Sequence, residues 1–164
     1  MNQRLYKCVF LDRDGIINHD PGDYTRRTED FTILPGVTQM LKKWQERGYK
    51  LIVITNQGGI AKGLYTAADL EKVHAHLIES LAQEGVVLTD IFFSPGHPEI
   101  GASISRKPSG LMIQRGMALH NIDPNQSFMI GDRATDAQAA SDAGIRCFIL
   151  PINSSIERLT QMIQ

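Results

Sequence analysis

The chain has 164 residues, a formal net charge of −1 and 42% hydrophobic residues, the size and balance of one globular domain spanning residues 1–164. The near-neutral charge gives no electrostatic ground for a nucleic-acid or anionic-membrane partner, and no apolar run is long enough to span a bilayer. Two cysteines exclude a disulfide framework, and with no secretory hydrophobic region at the amino terminus the chain reads as cytoplasmic.

Strand and helix signals then alternate along the chain, which predicts an α/β fold with a mainly parallel sheet. Cys8 to Leu11 has the length and content of a buried strand. It runs into Asp12-Arg13-Asp14-Gly15, and alternation turns Asp12 and Asp14 the same way if the strand persists. Two acids at the end of a buried strand are costly unless a cation, a substrate or backbone donors offset their desolvation. Taken alone, Asp-x-Asp-Gly reads as a turn. Residues 16–34 hold no clear helix, and a loop of that length is often functional.

Pro35-Gly36 opens a helix with Val37, Met40, Leu41 and Trp44 on one face, closed at Gly48. Lys50 to Thr55 is the second strand. Thr66 caps a long helix ending at Gly85, and a third strand lies within Val86 to Phe93. After a Pro-, Gly- and Ser-rich loop over 94–110, Leu111 to His120 reads as helix. Phe128 to Ile130 is a fourth strand leading into Gly131-Asp132-Arg133. A small helix from Thr135 stops at Gly144, Arg146 to Leu150 makes a fifth strand, and Ile156 to Met162 predicts a last amphipathic helix. Cys8 and Cys147 fall in strands, where reduced, buried thiols are expected. His19, His74, His76 and His120 show no metal-ligand pattern and read as solvated or partly buried.

In an open parallel sheet, ligands bind at the carboxyl ends of the strands. Four such ends carry polar groups here: Asp12 and Asp14, then Thr55-Asn56, then Arg106-Lys107, then Asp132. Two or three acids for a hard divalent cation, a hydroxyl, an amide and a lysine are the set that holds a phosphoryl group beside Mg²⁺. Each has a plainer reading alone: turn residues, a helix cap, a solvated lysine. Their occurrence together at four strand ends favours a site.

Asp12-x-Asp14-Gly15, Thr55-Asn56, Lys107-Pro108 and Gly131-Asp132 stand in the order of the four motifs of the haloacid dehalogenase superfamily, which the chain resembles over essentially its whole length. Asp12-Arg13-Asp14-Gly15-Ile16-Ile17-Asn18, Ile54-Thr55-Asn56-Gln57 and Arg106-Lys107-Pro108 look like its subgroup of histidinol-phosphate and D-glycero-D-manno-heptose-1,7-bisphosphate phosphatases. The resemblance implies a Rossmann-like fold with a minimal cap or none. It implies Asp12 as the nucleophile that forms an aspartyl-phosphate and Asp14 as general acid, then base. It also implies Mg²⁺ held by the Asp12 side chain, the Asp14 carbonyl and Asp132, with Thr55, Asn56 and Lys107 at the phosphoryl oxygens. Asp136 admits two readings, the metal's water shell or the first turn of a helix. Arg133 falls where the subgroup has a basic substrate contact.

The short segments after the first two strands leave the pocket open to a small phosphorylated metabolite. Asp20, Gly22 and Gln57 lie in the loops that would choose it, and Arg106 suits a distal phosphate or carboxylate. These loops resemble the heptose bisphosphate type, whereas Gly131 to Asp136 looks more like the histidinol-phosphate type. A broader metabolite phosphatase is a further alternative. The charge argues against a polynucleotide 3′-phosphatase, and the intact acids and lysine argue against an idle binding module. Nothing in the sequence specifies an oligomeric state. One departure stands out. Where the subgroup carries a Cys-x-His…Cys-x-Cys zinc loop, this chain reads Ser94-Pro95-Gly96-His97 and Ser103-Ile104-Ser105. Serine is a poor zinc ligand, so no zinc is expected and the loop should fold by its own turns.

Overall fold

The structure, a computed structural model, describes residues 4–161. Nine elements follow the predicted alternation: β1 (Cys8–Leu11), α1 (Val37–Glu46), β2 (Lys50–Asn56), α2 (Ala67–Gln83), β3 (Asp90–Ser94), α3 (Leu111–His120), β4 (Phe128–Gly131), α4 (Ala134–Asp142) and β5 (Arg146–Ile149). The strands form one sheet in the order β3-β2-β1-β4-β5, and every neighbouring pair is parallel. The chain winds outward from β1 to β3, then returns to the other side of β1 for β4. That reversal opens a crevice at the carboxyl ends of β1 and β4.

Both faces of the sheet are covered, so β1 is apolar at every position and fully buried. Alternation divides its side chains between two cores. Val9 and Leu11 pack with Leu51, Val53, Trp44, Leu77 and Phe128 on the α1/α2 side. Cys8 and Phe10 pack with Ile52, Ile54, Ile113 and Ala139 on the α3/α4 side. The Trp44 ring meets Phe128 edge-on, with centroids 5.9 Å apart. Truncating a buried Trp of this kind costs about 3–5 kcal/mol.

Thr66 starts α2 through a reciprocal cap. Its hydroxyl accepts from the Asp69 amide at 3.1 Å, and the Asp69 carboxylate accepts from the Thr66 amide at 2.9 Å. The last segment departs from expectation, being a 3-10 helix over Ile156–Gln161; Met162 lies outside the described residues. Ile156 and Leu159 are its buried positions, and a three-residue spacing stacks on one edge of a threefold helix. Cys147 also differs, lying partly exposed while Cys8 is buried. Among the described residues, no helix is long and apolar enough to cross a membrane.

Candidate active site

β1 delivers Asp12 to the crevice one residue past its end, where the Asp12 amide still donates to the Ile130 carbonyl at 3.0 Å. β4 delivers Asp132 beside it. Between them the chain must turn sharply, and Gly15 does so at φ +85°. A Cβ there would also lie 2.9 Å from Asp132 Oδ2, so a side chain at this position is excluded by both strain and space. At Gly131 a Cβ would collide with the Asp136 side chain, and this close approach lets α4 start directly behind β4.

Lys107 reaches the same point from the loop after β3 and is buried while still bordering the cleft. Its ammonium donates to Asp12 Oδ1 at 3.0 Å, to the Ile54 carbonyl at 3.0 Å and to Asp136 Oδ1 at 2.6 Å. Asn56 pins its main chain from both sides: the Lys107 amide donates to Asn56 Oδ1 at 3.0 Å, and Asn56 Nδ2 donates back to the Lys107 carbonyl at 3.1 Å. Asn56 borders the cleft but spends its amide on locating Lys107. Asp136 gives its second oxygen to the Asp132 and Arg133 amides, each at 3.1 Å. It is therefore both the cap of α4 and the partner of Lys107.

Burial opposes the charge on Lys107, yet Asp12 and Asp136 outweigh it and hold the ammonium pKa above its ordinary value. Burial raises the Asp12 carboxyl well above the carboxylate range, and repulsion from Asp136 and Asp14 adds to this against the pull of Lys107. Asp132 is raised too, by burial and then by Asp136. One lysine thus faces a surplus of carboxylates. Oxygens of Asp12, Asp132 and Asp136 converge within 4.8 Å, and Asp132 Oδ1 is buried without a hydrogen-bond partner. Hard oxygen donors, excess negative charge and an orphaned acceptor fit a divalent cation.

Asp14 is held on the opposite wall. Arg13 Nη2 and Asn18 Nδ2 donate to its Oδ1 at 2.8 and 3.0 Å, and Gln57 Nε2 donates to its Oδ2 at 3.0 Å. Gln57 also donates to the Thr55 hydroxyl at 2.9 Å and accepts from Tyr65 at 2.6 Å. It therefore backs Asp14 and Thr55 from inside the protein. Asp20 and Gly22 do border the cleft, as do Arg106 and Arg133. Asp20 is tied to Asn153 in both directions and accepts from Arg133 Nη2 at 3.3 Å. Arg106 donates to the Gly96 carbonyl at 2.9 Å. The cleft so enclosed measures about 990 Å³.

The serines of the loop before Arg106 are brought together. Ser94 Oγ lies 2.9 Å from Ser105 Oγ and 3.2 Å from Ser103 Oγ, and the latter two are 3.4 Å apart. Gly96 packs so tightly on Ser103 that a Cβ would lie 2.5 Å from Ser103 Cβ. The loop closes on a cluster of three hydroxyls.

A family model for haloacid dehalogenase-like hydrolases matches residues 3–144. The chain belongs to this family. Among the hydrolase's relatives, the D-glycero-beta-D-manno-heptose-1,7-bisphosphate 7-phosphatase of Helicobacter pylori strain 26695 is 41% identical over 159 residues, covering 96% of this chain and 91% of its own. The protein of the same description from Haemophilus ducreyi is 39% identical over 150 residues, covering 88% and 82%. The D,D-heptose 1,7-bisphosphate phosphatase of B. bronchiseptica, solved with magnesium and phosphate, superposes with a TM-score of 0.84 at 30% identity, covering 94% of this chain and 86% of that one.

Two residues of the hydrolase's site escape a reading of the sequence. Arg13 is completely buried, and the alternation that turns Asp12 and Asp14 toward the crevice was the signal that turns Arg13 inward. His74 is buried rather than solvated or partly buried, and it meets Arg13 at 3.2 Å. Nothing in the sequence near His74 announces that contact.

Proposed function

We propose that the protein is a Mg²⁺-dependent phosphatase that removes the 7-phosphate of D-glycero-D-manno-heptose 1,7-bisphosphate through an aspartyl-phosphate. The observation that carries this reading is the Lys107 ammonium shared between Asp12 and Asp136 beside the unpartnered oxygen of Asp132. A phosphoryl group entering there meets a carboxylate to attack it and a fixed cation to receive its charge. The names of the relatives direct the choice of substrate.

Mg²⁺, when bound, offsets the repulsion between an anionic phosphate and the Asp12 carboxylate. Asp12 and Asp132 would hold it with side-chain oxygens and Asp14 with its main-chain carbonyl. An Asp12 oxygen attacks phosphorus, and the bond from phosphorus to the sugar oxygen breaks. The departing oxygen keeps the electron pair and takes the proton from Asp14. Asp14, now a carboxylate, accepts a proton from water as the water oxygen attacks phosphorus. The bond to Asp12 breaks, restoring its carboxylate and releasing inorganic phosphate. Lys107 stays paired to Asp12 throughout and takes up charge on the phosphoryl oxygens. Thr55, buried at the end of β2, offers its hydroxyl beside them. Arg106 and Arg133 at the rim suit the distal phosphate.

The test compares kcat/KM for the heptose 1,7-bisphosphate, as both anomers, with that for histidinol phosphate in the presence of Mg²⁺, with Asp12→Asn as the control for contaminating phosphatases. A preference of a hundredfold or more for the heptose, with phosphate released from C7, supports the proposal. Preference for histidinol phosphate would transfer the assignment to that substrate. Equal, feeble rates would leave a phosphatase of another small ester.

A further inference from the structure

Arg13 sits between the two acids of the site and faces away from both substrate and solvent. Its guanidinium is wholly enclosed. Nη2 and Nε donate to Asp14 Oδ1 at 2.8 and 3.3 Å, and Nη2 also donates to the Thr25 carbonyl at 3.2 Å. Nη1 meets His74 Nε2 at 3.2 Å, and the Phe31 ring lies 5.8 Å from the guanidinium carbon. A buried arginine carries a desolvation cost that is offset only where its donors are used. Here three of its nitrogens are used, and two of them converge on one oxygen of Asp14.

His74 is the back stop of this arrangement. It projects from α2, packs edge-on against Phe93 at 6.2 Å, and presents a ring nitrogen to a group that can only donate. That nitrogen must therefore be the acceptor of a neutral imidazole, with the ring proton on Nδ1. Burial and the Arg13 charge both favour the neutral form. The result is a line of contacts from α2 through His74 and Arg13 to Asp14 that contains no flexible surface side chain.

We infer that Arg13, held by His74, is the positioning residue that orients the Asp14 carboxyl for proton transfer to the departing oxygen. The inference rests on Asp14 acting as the general acid in the proposed reaction. Arg13 touches no substrate. It engages Oδ1 together with Asn18, while Gln57 engages Oδ2, so the plane of the carboxyl is set from both sides. Misorientation of an acid matters only where the leaving oxygen needs its proton.

The experiment measures kcat/KM with Mg²⁺ across phosphate monoesters whose leaving groups run from p-nitrophenol to simple alcohols. This parameter ends at departure of the leaving group, so hydrolysis of the aspartyl-phosphate does not enter it. Arg13→Lys and His74→Phe should each lose about 10- to 100-fold on alkyl esters, a part of the 10²–10⁴ that acid catalysis supplies. On p-nitrophenyl phosphate they should stay within about threefold, since that leaving group departs without a proton. His74→Gln, which returns an acceptor, should recover most of the alkyl activity. An equal loss across the series, or none, overturns the inference. Asp14→Asn separates the two levels. If it lacks the selective loss on alkyl esters, the acid assignment itself falls. If it shows that loss and the Arg13 and His74 variants do not, only the positioning role falls. Should Arg13→Lys fail to fold, the His74→Phe and His74→Gln pair decides alone.

Discussion

Asp136 Oδ1 lies 2.6 Å from Lys107 Nζ, the shortest of the three contacts that hold this ammonium in place. The same carboxylate caps α4 with its other oxygen, so one side chain couples the start of a helix to the aim of a lysine. Asp136→Asn removes the charge and makes one of the two ends a donor facing donors. Stability should fall by about 2 kcal/mol, read by urea unfolding, and kcat should fall at least tenfold.

Mg²⁺ should protect the folded protein. A ligand that binds only the native state at 100 times its dissociation constant adds about 2.7 kcal/mol, so the wild-type Tm should rise on titration with Mg²⁺. Asp132→Asn removes the charge behind the buried oxygen that lacks a partner and exchanges one of its two carboxylate oxygens for an amide NH2. It should need more Mg²⁺ both for the rise in Tm and for half-maximal turnover, as scanning calorimetry and initial rates would show.

The hydroxyl cluster gives a third expectation. Ser94 is fully buried and joins Ser103 and Ser105. Ser94→Ala leaves those two to each other, costing about 1 kcal/mol. Because Arg106 follows Ser105 directly, the loosened loop should raise KM for the bisphosphate several-fold and leave kcat nearly unchanged.

His74 is held neutral, with its pKa lowered to about 4 chiefly by burial and then by the Arg13 charge. In the unfolded chain it titrates near 6.5. Between these values the unfolded state binds the extra proton, so stability is complete above about pH 6.5 and declines as pH falls toward 4. The whole contribution is about 3 kcal/mol. His74→Gln should flatten this part of the stability profile, measured by urea unfolding at stepped pH.

The sheet was legible because strands buried on both faces leave continuous apolar runs, and because Asp12, Asn56, Lys107 and Asp132 each stand at or just beyond a strand end or in the loop that follows one. The α2 cap could be read from Thr66 and its spacing to Ala67 onward. Partnerships across the fold could not. Arg13 and His74 are 61 residues apart, Asn56 and Lys107 are 51 apart, and no local pattern links either pair. Asn56 and Gln57 look like groups for a substrate because they follow a strand, but their hydrogen bonds go to Lys107, Asp14 and Thr55. The last segment is helical with Ile156 and Leu159 on a buried edge, as its pattern predicts, but it is a 3-10 helix, since a pair of apolar residues three apart serves either geometry.

The cluster of three hydroxyls behind the cleft wall has a chemical consequence. A loop tied by thiolates loosens when peroxide oxidises the sulfurs or when zinc runs short. Serine oxygens offer peroxide nothing to attack. The two thiols elsewhere are poor targets as well, since burial raises both, Cys147 to about 12, and keeps them protonated. The wall that carries Arg106 should therefore keep its shape through oxidative stress and zinc shortage alike.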